Sequence, residues 1–286
     1  MADTPELEIS ARGLTDVGQR RDHNEDALLV DEALKLFVVA DGMGGHAGGG
    51  TASRLAVETI QNALRAARDK APEKFSGQHS IEDSPLPDIL KAAVEEACSV
   101  IFNAAQSDPE LNGMGTTVTA AAIDGRCAFV AHVGDSRCYL VRDRRIYQVS
   151  EDHSLVSEQL KAGAISADEA RRSRFRNIIT RSVGFEQDVQ VDLLGLDLSA
   201  GDTLVICCDG LSNLVEDPEI LQIVEGSTLD EAPARLVTLA NERGGDDNIT
   251  VAVVRVKDPS APEKPAEPPS SEGGSEVGDG GDAVPS

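Results

Sequence analysis

Several acidic side chains in this sequence stand at the ends of apolar, strand-like runs. Asp41 follows LFVVA, Asp135 follows FVAHVG, Asp209 follows LVICC, the pair Asp246–Asp247 precedes NITVAVV, and the triplet NED (24–26) leads into ALLV. If these strands pack in one or two sheets, several of the ends can converge. Carboxylates about 4 Å apart repel by roughly 4 kcal/mol per pair at an effective dielectric of 20, and a divalent cation removes that repulsion. Oxygen donors without an accompanying cysteine and histidine set favour Mg²⁺ or Mn²⁺ over zinc.

A turn without function is the competing interpretation, because Asp-Gly is a common tight-turn dipeptide. Asp124–Gly125 provides an internal comparison, since it separates two strand-like runs with nothing else between them. Asp41 and Asp209 are instead followed by helical sequence. Neither therefore fits a two-residue hairpin loop.

The glycine-rich stretch VVADGMGGHAGGG (38–50) also contains GMGGHA, which fits the dinucleotide-binding fingerprint. However, an aspartate directly before the glycines would face the pyrophosphate. The fingerprint also belongs to a βαβ unit, which the later strands do not continue. The sequence therefore favours a metal-binding loop at Asp41 over a dinucleotide-binding one.

The composition limits the classes of function. The chain has 286 residues, 40% of them apolar, and a net charge of −24 from 50 acidic and 26 basic residues. This charge disfavours nucleic acid and anionic membranes as partners, whereas it suits cations or simply solubility. The five cysteines form no CxxC pair, and the chain has neither a basic, apolar leader nor a membrane-length apolar run. These features predict a cytoplasmic protein.

Strands and helices are segregated along the chain, which predicts an α+β fold with antiparallel sheets. Two long amphipathic helices follow the first strands, and Thr51 is the predicted N-cap of the first helix. Residues 151–183 contain basic, helical sequence between strands and are interpreted as an inserted flap. Residues 258–286 are acidic and rich in proline, glycine and serine, a composition that predicts a disordered tail.

A series of motifs resembles the bacterial form of the metal-dependent protein serine/threonine phosphatases, the protein phosphatase 2C (PPM) family. In order they are TDVGQRRDHNEDA (15–27), VVADGMGGHAGG (38–49), GMGTTVTAA (113–121), VGDSRCYL (133–140), EDHSLV (151–156), NIITRSVG (177–184), LVICCDGLSN (204–213) and GGDDNITVAVV (244–254). The resemblance covers about residues 8–257. It implies two antiparallel β-sheets sandwiched between layers of helices (αββα), with the phosphatase domain at 8–257.

The resemblance also implies a dinuclear metal site. By position, Asp41 would bridge two Mn²⁺ or Mg²⁺ ions, the Gly42 carbonyl would bind one of them, and Asp209 and Asp247 would hold the other. Two metals about 3.5–4 Å apart lower the pKa of a bridging water, so that hydroxide can attack phosphorus in line. The implied activity is hydrolysis of phosphoserine and phosphothreonine in proteins, without a protein nucleophile.

Further residues match supporting positions of the family. Glu25 and Asp26 resemble an acidic pair that supports the site, and the resemblance implies that they act through metal-bound water. Asp135 matches a ligand of a third, weaker metal. Arg21 matches the arginine that binds the substrate phosphate, a role suited to a bidentate guanidinium.

The general acid is left open by the sequence. Some family members carry a histidine directly after the Asp-Gly pair, where this chain has methionine, and His46 follows three residues later. His46 could protonate the leaving alkoxide or only cap the glycine loop. We expect His132 and His153 to be structural, and Thr116 and Thr117 to serve sheet packing and turn formation.

The implied partners are phosphorylated proteins, among them a serine/threonine kinase or its targets, and we expect a monomer. The alternative is a catalytically silent phosphoprotein-binding or partner-switching module on the same fold. Silent relatives would be expected to lose acids of the metal site. Because Asp41, Asp209 and Asp247 are all present, the enzyme is favoured.

Overall fold

Two antiparallel β-sheets lie face to face, and helices cover their outer surfaces in the computed structural model, which describes residues 7–44 and 48–259. The strands are β1 (Glu8–Asp16), β2 (Asp26–Asp31), β3 (Leu36–Met43), β4 (Gly115–Thr116), β5 (Val118–Asp124), β6 (Cys127–Val133), β7 (Arg137–Arg142), β8 (Arg145–Gln148), β9 (Asp192–Asp197), β10 (Thr203–Cys207) and β11 (Ile249–Lys257). One sheet has the order β1-β11-β10-β7-β8, and the other has the order β2-β3-β5-β6-β9, with β4 paired to β3.

The helices form an outer layer on each sheet. They are α1 (Gly48–Lys70), α2 (Leu86–Ser107), α3 (Leu155–Lys161), α4 (Ala167–Arg172), α5 (Asp209–Ser212), α6 (Asp217–Glu225) and α7 (Ala232–Glu242). Helices α1 and α2 share a buried apolar cluster with the β2–β9 sheet, and α6 and α7 share another with the β1–β8 sheet. A third cluster lies between the two sheets. The predicted α+β architecture with two antiparallel sheets is confirmed.

Strand β3 shows why the run before Asp41 is apolar without interruption. Successive side chains of a strand point to opposite faces. Leu36 and Val38 accordingly pack against the layer of α1 and α2, whereas Phe37 and Val39 pack between the sheets. Because both faces of β3 are buried, the strand is rigidly held, and Asp41 stands at its end.

Helix α1 begins at Gly48, so the prediction of Thr51 as its N-cap is wrong; Thr51 lies within the first turn. The reason is a tertiary contact that the local pattern does not contain. The glycine backbone at the start of α1 packs directly against the end of β3, where a Cβ on Gly49 would lie 2.8 Å from the carbonyl group of Gly42. The start of the helix is therefore built against the end of β3 that carries Asp41.

The segment 151–183, predicted as a flap, contains α3 and α4 and returns to the body of the protein. An isolated bridge pairs Ser154 with Ile179, and another pairs Thr116 with Val183. Of the predicted tail, only residues 258 and 259 belong to the described part of the chain. Among the helices of the described residues, none combines the length and apolar character needed to cross a membrane.

Candidate metal centre

Both sheets contribute carboxylates to one edge of the molecule. In the β2–β9 sheet, Asp26 opens β2 and lies directly opposite Asp41 on β3. In the β1–β8 sheet, Asp209 follows β10, and Asp247 precedes β11, the antiparallel neighbour of β10. Directly opposed residues of an antiparallel pair place their side chains on the same face. The fold thus brings the sequence-predicted acids Asp26, Asp41, Asp209 and Asp247 to one place.

The carboxylates lie close together and are incompletely hydrogen-bonded. Ligand atoms of Asp26, Asp41 and Cys208 all lie within 4.8 Å of one another. Asp26 Oδ1 and Asp209 Oδ1 are buried and have no hydrogen-bond partner among the described residues. A buried polar atom without a partner costs free energy, and a buried anion costs more. This donor set fits a divalent cation, because a cation would satisfy the unpartnered oxygens and offset the repulsion between them.

The protonation equilibria reflect the same crowding. Burial, and to a smaller extent the charges of Asp209 and Asp247, raises the pKa of Asp26 to about 7. Burial and the charge of Asp209 raise the pKa of Asp135 to about 8. Burial raises the pKa of Asp41 well above its ordinary value, and the nearby aspartates add to the effect. Without a cation, these sites favour the protonated, neutral carboxyl group.

These shifts predict how the metal-free protein responds to pH. Unfolded Asp26 and Asp135 release their protons near the ordinary pKa of 3.8, whereas the folded protein retains them up to about pH 7 and 8. Between these limits the unfolded state has fewer bound protons, so rising pH favours unfolding. In EDTA, the contribution of these groups to the free energy of unfolding should fall from about pH 4 to about pH 8. Urea denaturation at several pH values checks this, with Asp26→Asn as the control that flattens the slope; a slope unchanged by Asp26→Asn would contradict it.

The backbone of Asp41 is clamped by two threonines. The hydroxyl of Thr116 donates to the Asp41 carbonyl oxygen at 2.9 Å, and the Asp41 N–H donates to Thr117 Oγ1 at 2.9 Å. The Thr117 N–H also donates to the Asp41 carbonyl oxygen at 2.8 Å. The expected roles in sheet packing and turn formation omitted this contact. The signal available in the sequence was the adjacent pair of hydroxyls in GMGTTV.

Gly42 lies in a space that has no room for a side chain. A Cβ at this position would lie 2.1 Å from the carbonyl oxygen of Gly49 and 2.6 Å from that of Glu25. The start of α1, the end of β3 and the loop before β2 are therefore in close contact at Gly42. The glycine is required here by close packing.

Gly42→Ala is expected to destabilise the protein by roughly 1–3 kcal/mol, the usual cost of overpacking, and to reduce metal binding because it displaces Asp41 or α1. Gly50→Ala is the matched control. A Cβ at Gly50 meets its nearest atoms only at 3.6 Å, and alanine favours a helix. Thermal denaturation of both variants tests the contact; equal Tm values for Gly42→Ala and Gly50→Ala would show that Gly42 is not constrained.

Asp26 is oriented by a chain of hydrogen bonds across the two sheets. The amide of Asn24 donates to Thr15 Oγ1 at 2.8 Å, the hydroxyls of Thr15 and Thr250 lie 2.7 Å apart, and Thr250 donates to Asp26 Oδ2 at 2.5 Å. Since the Thr250 proton is used on the carboxylate, Thr15 donates to Thr250. The chain fixes Oδ2 and leaves Oδ1 without a protein partner among the described residues.

Arg21 lies at the open side of the cluster. Its Nη2 donates to Asp247 Oδ2 at 2.7 Å, and its side chain is 47% exposed. Arg20 is more exposed and lies 4.0 Å from Asp246. The loop between β1 and β2 thus brings one arginine to a predicted metal ligand and leaves its neighbour at the surface.

Asp135 and Glu25 lie near the same edge. Asp135 is buried in the turn after β6, and the charge of Asp209 contributes to its raised pKa. His153 holds that turn, because Gly134 N–H donates to His153 Nδ1 at 3.0 Å and His153 N–H donates to the Gly134 carbonyl oxygen at 2.8 Å. The carboxyl group of Glu25 lies beside Gly49 at the start of α1.

The ring of His132 lies in the core and contacts no member of the carboxylate cluster in its hydrogen bonds. It is 3.0 Å from Thr119 Oγ1 and 2.9 Å from the carbonyl oxygen of Glu151. Burial lowers the pKa of His132 to about 4, so its ring is neutral near pH 7. His46, the candidate general acid, lies outside the described residues.

The family assignment follows from comparison with known proteins. The family model for protein phosphatase 2C matches residues 17–243. The chain belongs to the protein phosphatase 2C family. The resemblance identified from the motifs is confirmed. The matched range includes Asp41 and Asp209 and ends four residues before Asp247.

Bacterial members of the protein phosphatase 2C family are similar over most of their length. The serine/threonine phosphatase stp of Listeria monocytogenes is 39% identical over 244 residues, which is 84% of this chain and 93% of the relative. The protein phosphatase PhpP of Streptococcus pneumoniae is 36% identical over 263 residues, which is 89% of this chain and 100% of the relative.

Solved structures of protein phosphatase 2C enzymes share the fold. The Mycobacterium tuberculosis serine/threonine phosphatase PstP/Ppp has a TM-score of 0.76 and 33% identity, covering 88% of this chain and 99% of that protein. The catalytic domain of PstP in complex with two manganese ions has the same TM-score and identity, covering 88% of this chain and 100% of that domain.

Proposed function

We propose that this enzyme, a serine/threonine phosphatase of the protein phosphatase 2C family, hydrolyses phosphoserine and phosphothreonine in proteins at the edge formed by Asp41, Asp209 and Asp247. The observation that carries the proposal is the group of buried carboxylates with unpartnered oxygens on Asp26 and Asp209. Such a group needs a cation to stay ionised, and metal-dependent phosphate ester hydrolysis is a reaction that uses one.

Divalent metals are proposed to bind to Asp41, the Gly42 carbonyl, Asp209 and Asp247. Oxygen donors favour Mn²⁺ or Mg²⁺, and the PstP domain solved with two manganese ions supports a pair. When bound, the ions supply Lewis-acid stabilisation of the phosphate and a more acidic water. Glu25 and Asp26 are proposed to support them through water. A third, weaker ion at Asp135 belongs to the same proposal.

The chain's own residues bind and orient the phosphate. Arg21 donates to Asp247 through Nη2, at 2.7 Å. A guanidinium has five N–H donors, so others can bind phosphate oxygens in a bidentate manner. Arg21 therefore anchors the phosphate beside the carboxylates, and its half-exposed position gives a substrate access from solvent.

Proton delivery to the leaving alkoxide is proposed for His46. Its place in the sequence, four residues after Gly42 and two before Gly48, supports a position beside the metal-binding edge. No side chain is proposed as nucleophile. Ser136, the serine of the GDSR motif, shares a hydrogen bond with Thr117 at 2.8 Å within the core and is buried.

The proposed substrates are proteins phosphorylated by a serine/threonine kinase, including the kinase itself. We place the phosphatase domain at 8–257 and propose that it acts as a monomer in the cytoplasm. The five buried, free cysteines are consistent with a reducing compartment.

The proposed activity is tested with a phosphothreonine peptide and the purified protein in Mn²⁺, in Mg²⁺ and in EDTA. We expect phosphate release with either metal and none in EDTA. A folded protein that binds Mn²⁺ but releases no phosphate would favour the catalytically silent alternative and contradict the proposal.

A further inference from the structure

The loop between β1 and β2 (residues 17–25) is held to the metal-binding edge by one carboxamide. Asn248 Nδ2 donates to the carbonyl oxygens of Val17 and His23, each at 3.0 Å. Asn248 Oδ1 accepts from the Glu25 N–H at 2.8 Å. One side chain therefore binds the backbone at both ends of the segment that carries Arg21.

Asn248 is itself firmly placed. Its side chain is buried, with 4% of the residue exposed. Its N–H donates to Asp247 Oδ1 at 2.8 Å, and its carbonyl oxygen accepts from the Cys208 thiol at 3.3 Å. It stands just before β11, the strand between β1 and β10. The residue thus contacts Asp247, the neighbour of Asp209 and the loop of Arg21 at once.

We propose that Asn248 is a positioning residue, which fixes the phosphate-binding loop of Arg21 in register with the metal ligands Asp209 and Asp247. The inference rests on the proposed function, since it concerns how the phosphate and the metal sites are aligned. A carboxamide donates two hydrogen bonds and accepts others through its oxygen, whereas a carboxylate only accepts. The two donations from Nδ2 and the one acceptance at Oδ1 require the amide.

The second half of the loop depends on this side chain in a way that the first half does not. Gln19 N–H donates to the Gly245 carbonyl oxygen at 2.8 Å, which ties the beginning of the loop to the segment before β11. The bonds from Asn248 to His23 and Glu25 tie the part that follows Arg21. Without them, Arg21 would be held on one side only.

Asn248→Ala and Asn248→Asp test the role. Alanine removes all the side-chain bonds, and aspartate keeps the volume and the acceptor for Glu25 N–H but loses both donations. We expect the Kd for inorganic phosphate, measured by calorimetry on the Mn²⁺-loaded protein, and the KM for a phosphothreonine peptide to rise about tenfold. We expect kcat to fall less than KM rises.

Asn241→Ala is the matched control, because Asn241 also contacts this loop but through side chains. Its Oδ1 accepts from Gln19 Nε2 at 3.2 Å, and its Nδ2 donates to Asp16 Oδ1 at 3.1 Å. We expect phosphate affinity within twofold of the parent. An equal loss of affinity in Asn241→Ala and Asn248→Ala would show a general loosening of the loop and overturn the specific role.

A double-variant cycle separates positioning from general stability. If Asn248 acts through Arg21, then Arg21→Ala combined with Asn248→Ala should weaken phosphate binding no more than Arg21→Ala alone. Multiplicative losses would overturn the inference, and so would an unchanged phosphate Kd in folded Asn248→Asp. If Asn248→Ala does not fold, the cycle is made with Asn248→Asp. Phosphate binding is measured without turnover, so a parent that binds phosphate but does not hydrolyse the peptide contradicts the proposed function alone.

Discussion

Asp209→Asn is expected to reduce metal-dependent phosphatase activity by roughly a thousandfold, about 4 kcal/mol of transition-state stabilisation, and to raise the Tm of the EDTA-treated protein. Activity falls because the amide removes one charged ligand of the metal centre. Stability rises because Asp209 is a buried carboxylate whose pKa is raised by burial and by the charge of Asp247. Its Oδ1 has no partner among the described residues. A neutral amide removes this cost.

The variant keeps a local contact that would otherwise complicate the comparison. Asn213 Nδ2 donates to Asp209 Oδ2 at 3.0 Å, and the amide oxygen of asparagine can accept the same bond. Mn²⁺ should raise the Tm of the parent and have little effect on Asp209→Asn, since a ligand stabilises only the state that binds it.

Asp246→Asn is the matched control for the loss of a nearby negative charge. Asp246 has an exposed side chain, 64% accessible, and lies 4.0 Å from Arg20. We expect its activity within twofold of the parent and its Tm in EDTA unchanged. If Asp209→Asn retained full turnover, or if its Tm fell in EDTA while the response to Mn²⁺ stayed that of the parent, Asp209 would not be a metal ligand.

Arg21→Ala is expected to raise the KM for a phosphothreonine peptide roughly 10- to 100-fold, with a smaller decrease in kcat. The lost contact is a charge-assisted, bidentate hydrogen bond to the phosphate, which is stronger than a neutral one. A rise in KM that exceeds the fall in kcat indicates binding shared by the ground state and the transition state. Steady-state kinetics at saturating Mn²⁺ gives both constants.

Two further variants define what Arg21 supplies. Arg21→Lys keeps the charge but not the planar fork, so we expect a KM between those of the parent and Arg21→Ala. Arg20→Ala removes the exposed neighbour, and its KM should stay within twofold of the parent. A KM unaffected by Arg21→Ala, or equal increases in Arg20→Ala and Arg21→Ala, would contradict the phosphate-binding role.

The architecture and the convergence of acids could be predicted because they follow from patterns local to each strand. Asp41 ends a run whose side chains alternate between two apolar layers, and Asp209 ends another such run. Once both runs are strands of stacked sheets, their ends can meet. Asp124 behaves differently: it is paired with Cys127 across the turn between β5 and β6, as the hairpin interpretation predicts.

Asp124 nevertheless has a function in the fold that its turn position did not indicate. Its Oδ1 accepts from the Gly77 N–H at 2.7 Å, and its Oδ2 lies 3.2 Å from His79 Nδ1. The hairpin aspartate thus fastens the segment between α1 and α2. The sequence pattern distinguished a turn from a site correctly, but it carried no information about a partner 47 residues away.

The hydrogen bonds that orient the site could not be predicted, because their partners are distant in sequence. Thr117 and Asp41 are 76 residues apart, and Asn248 and His23 are 225 residues apart. Such contacts depend on the register of whole sheets and not on periodicity within one element. The start of α1 is a smaller example, since the contact between Gly42 and Gly49 sets a boundary that the local capping pattern placed at Thr51.

The central claim is that buried carboxylates from both sheets form one dinuclear metal centre, and calorimetric titration of the EDTA-stripped protein with Mn²⁺ tests it most directly. We expect two tightly bound Mn²⁺ ions per chain in the parent, and weakened or missing binding in Asp209→Asn while Asp246→Asn matches the parent. A folded parent that binds no Mn²⁺, or an Asp209→Asn protein that binds two ions with the affinity of the parent, would contradict the claim.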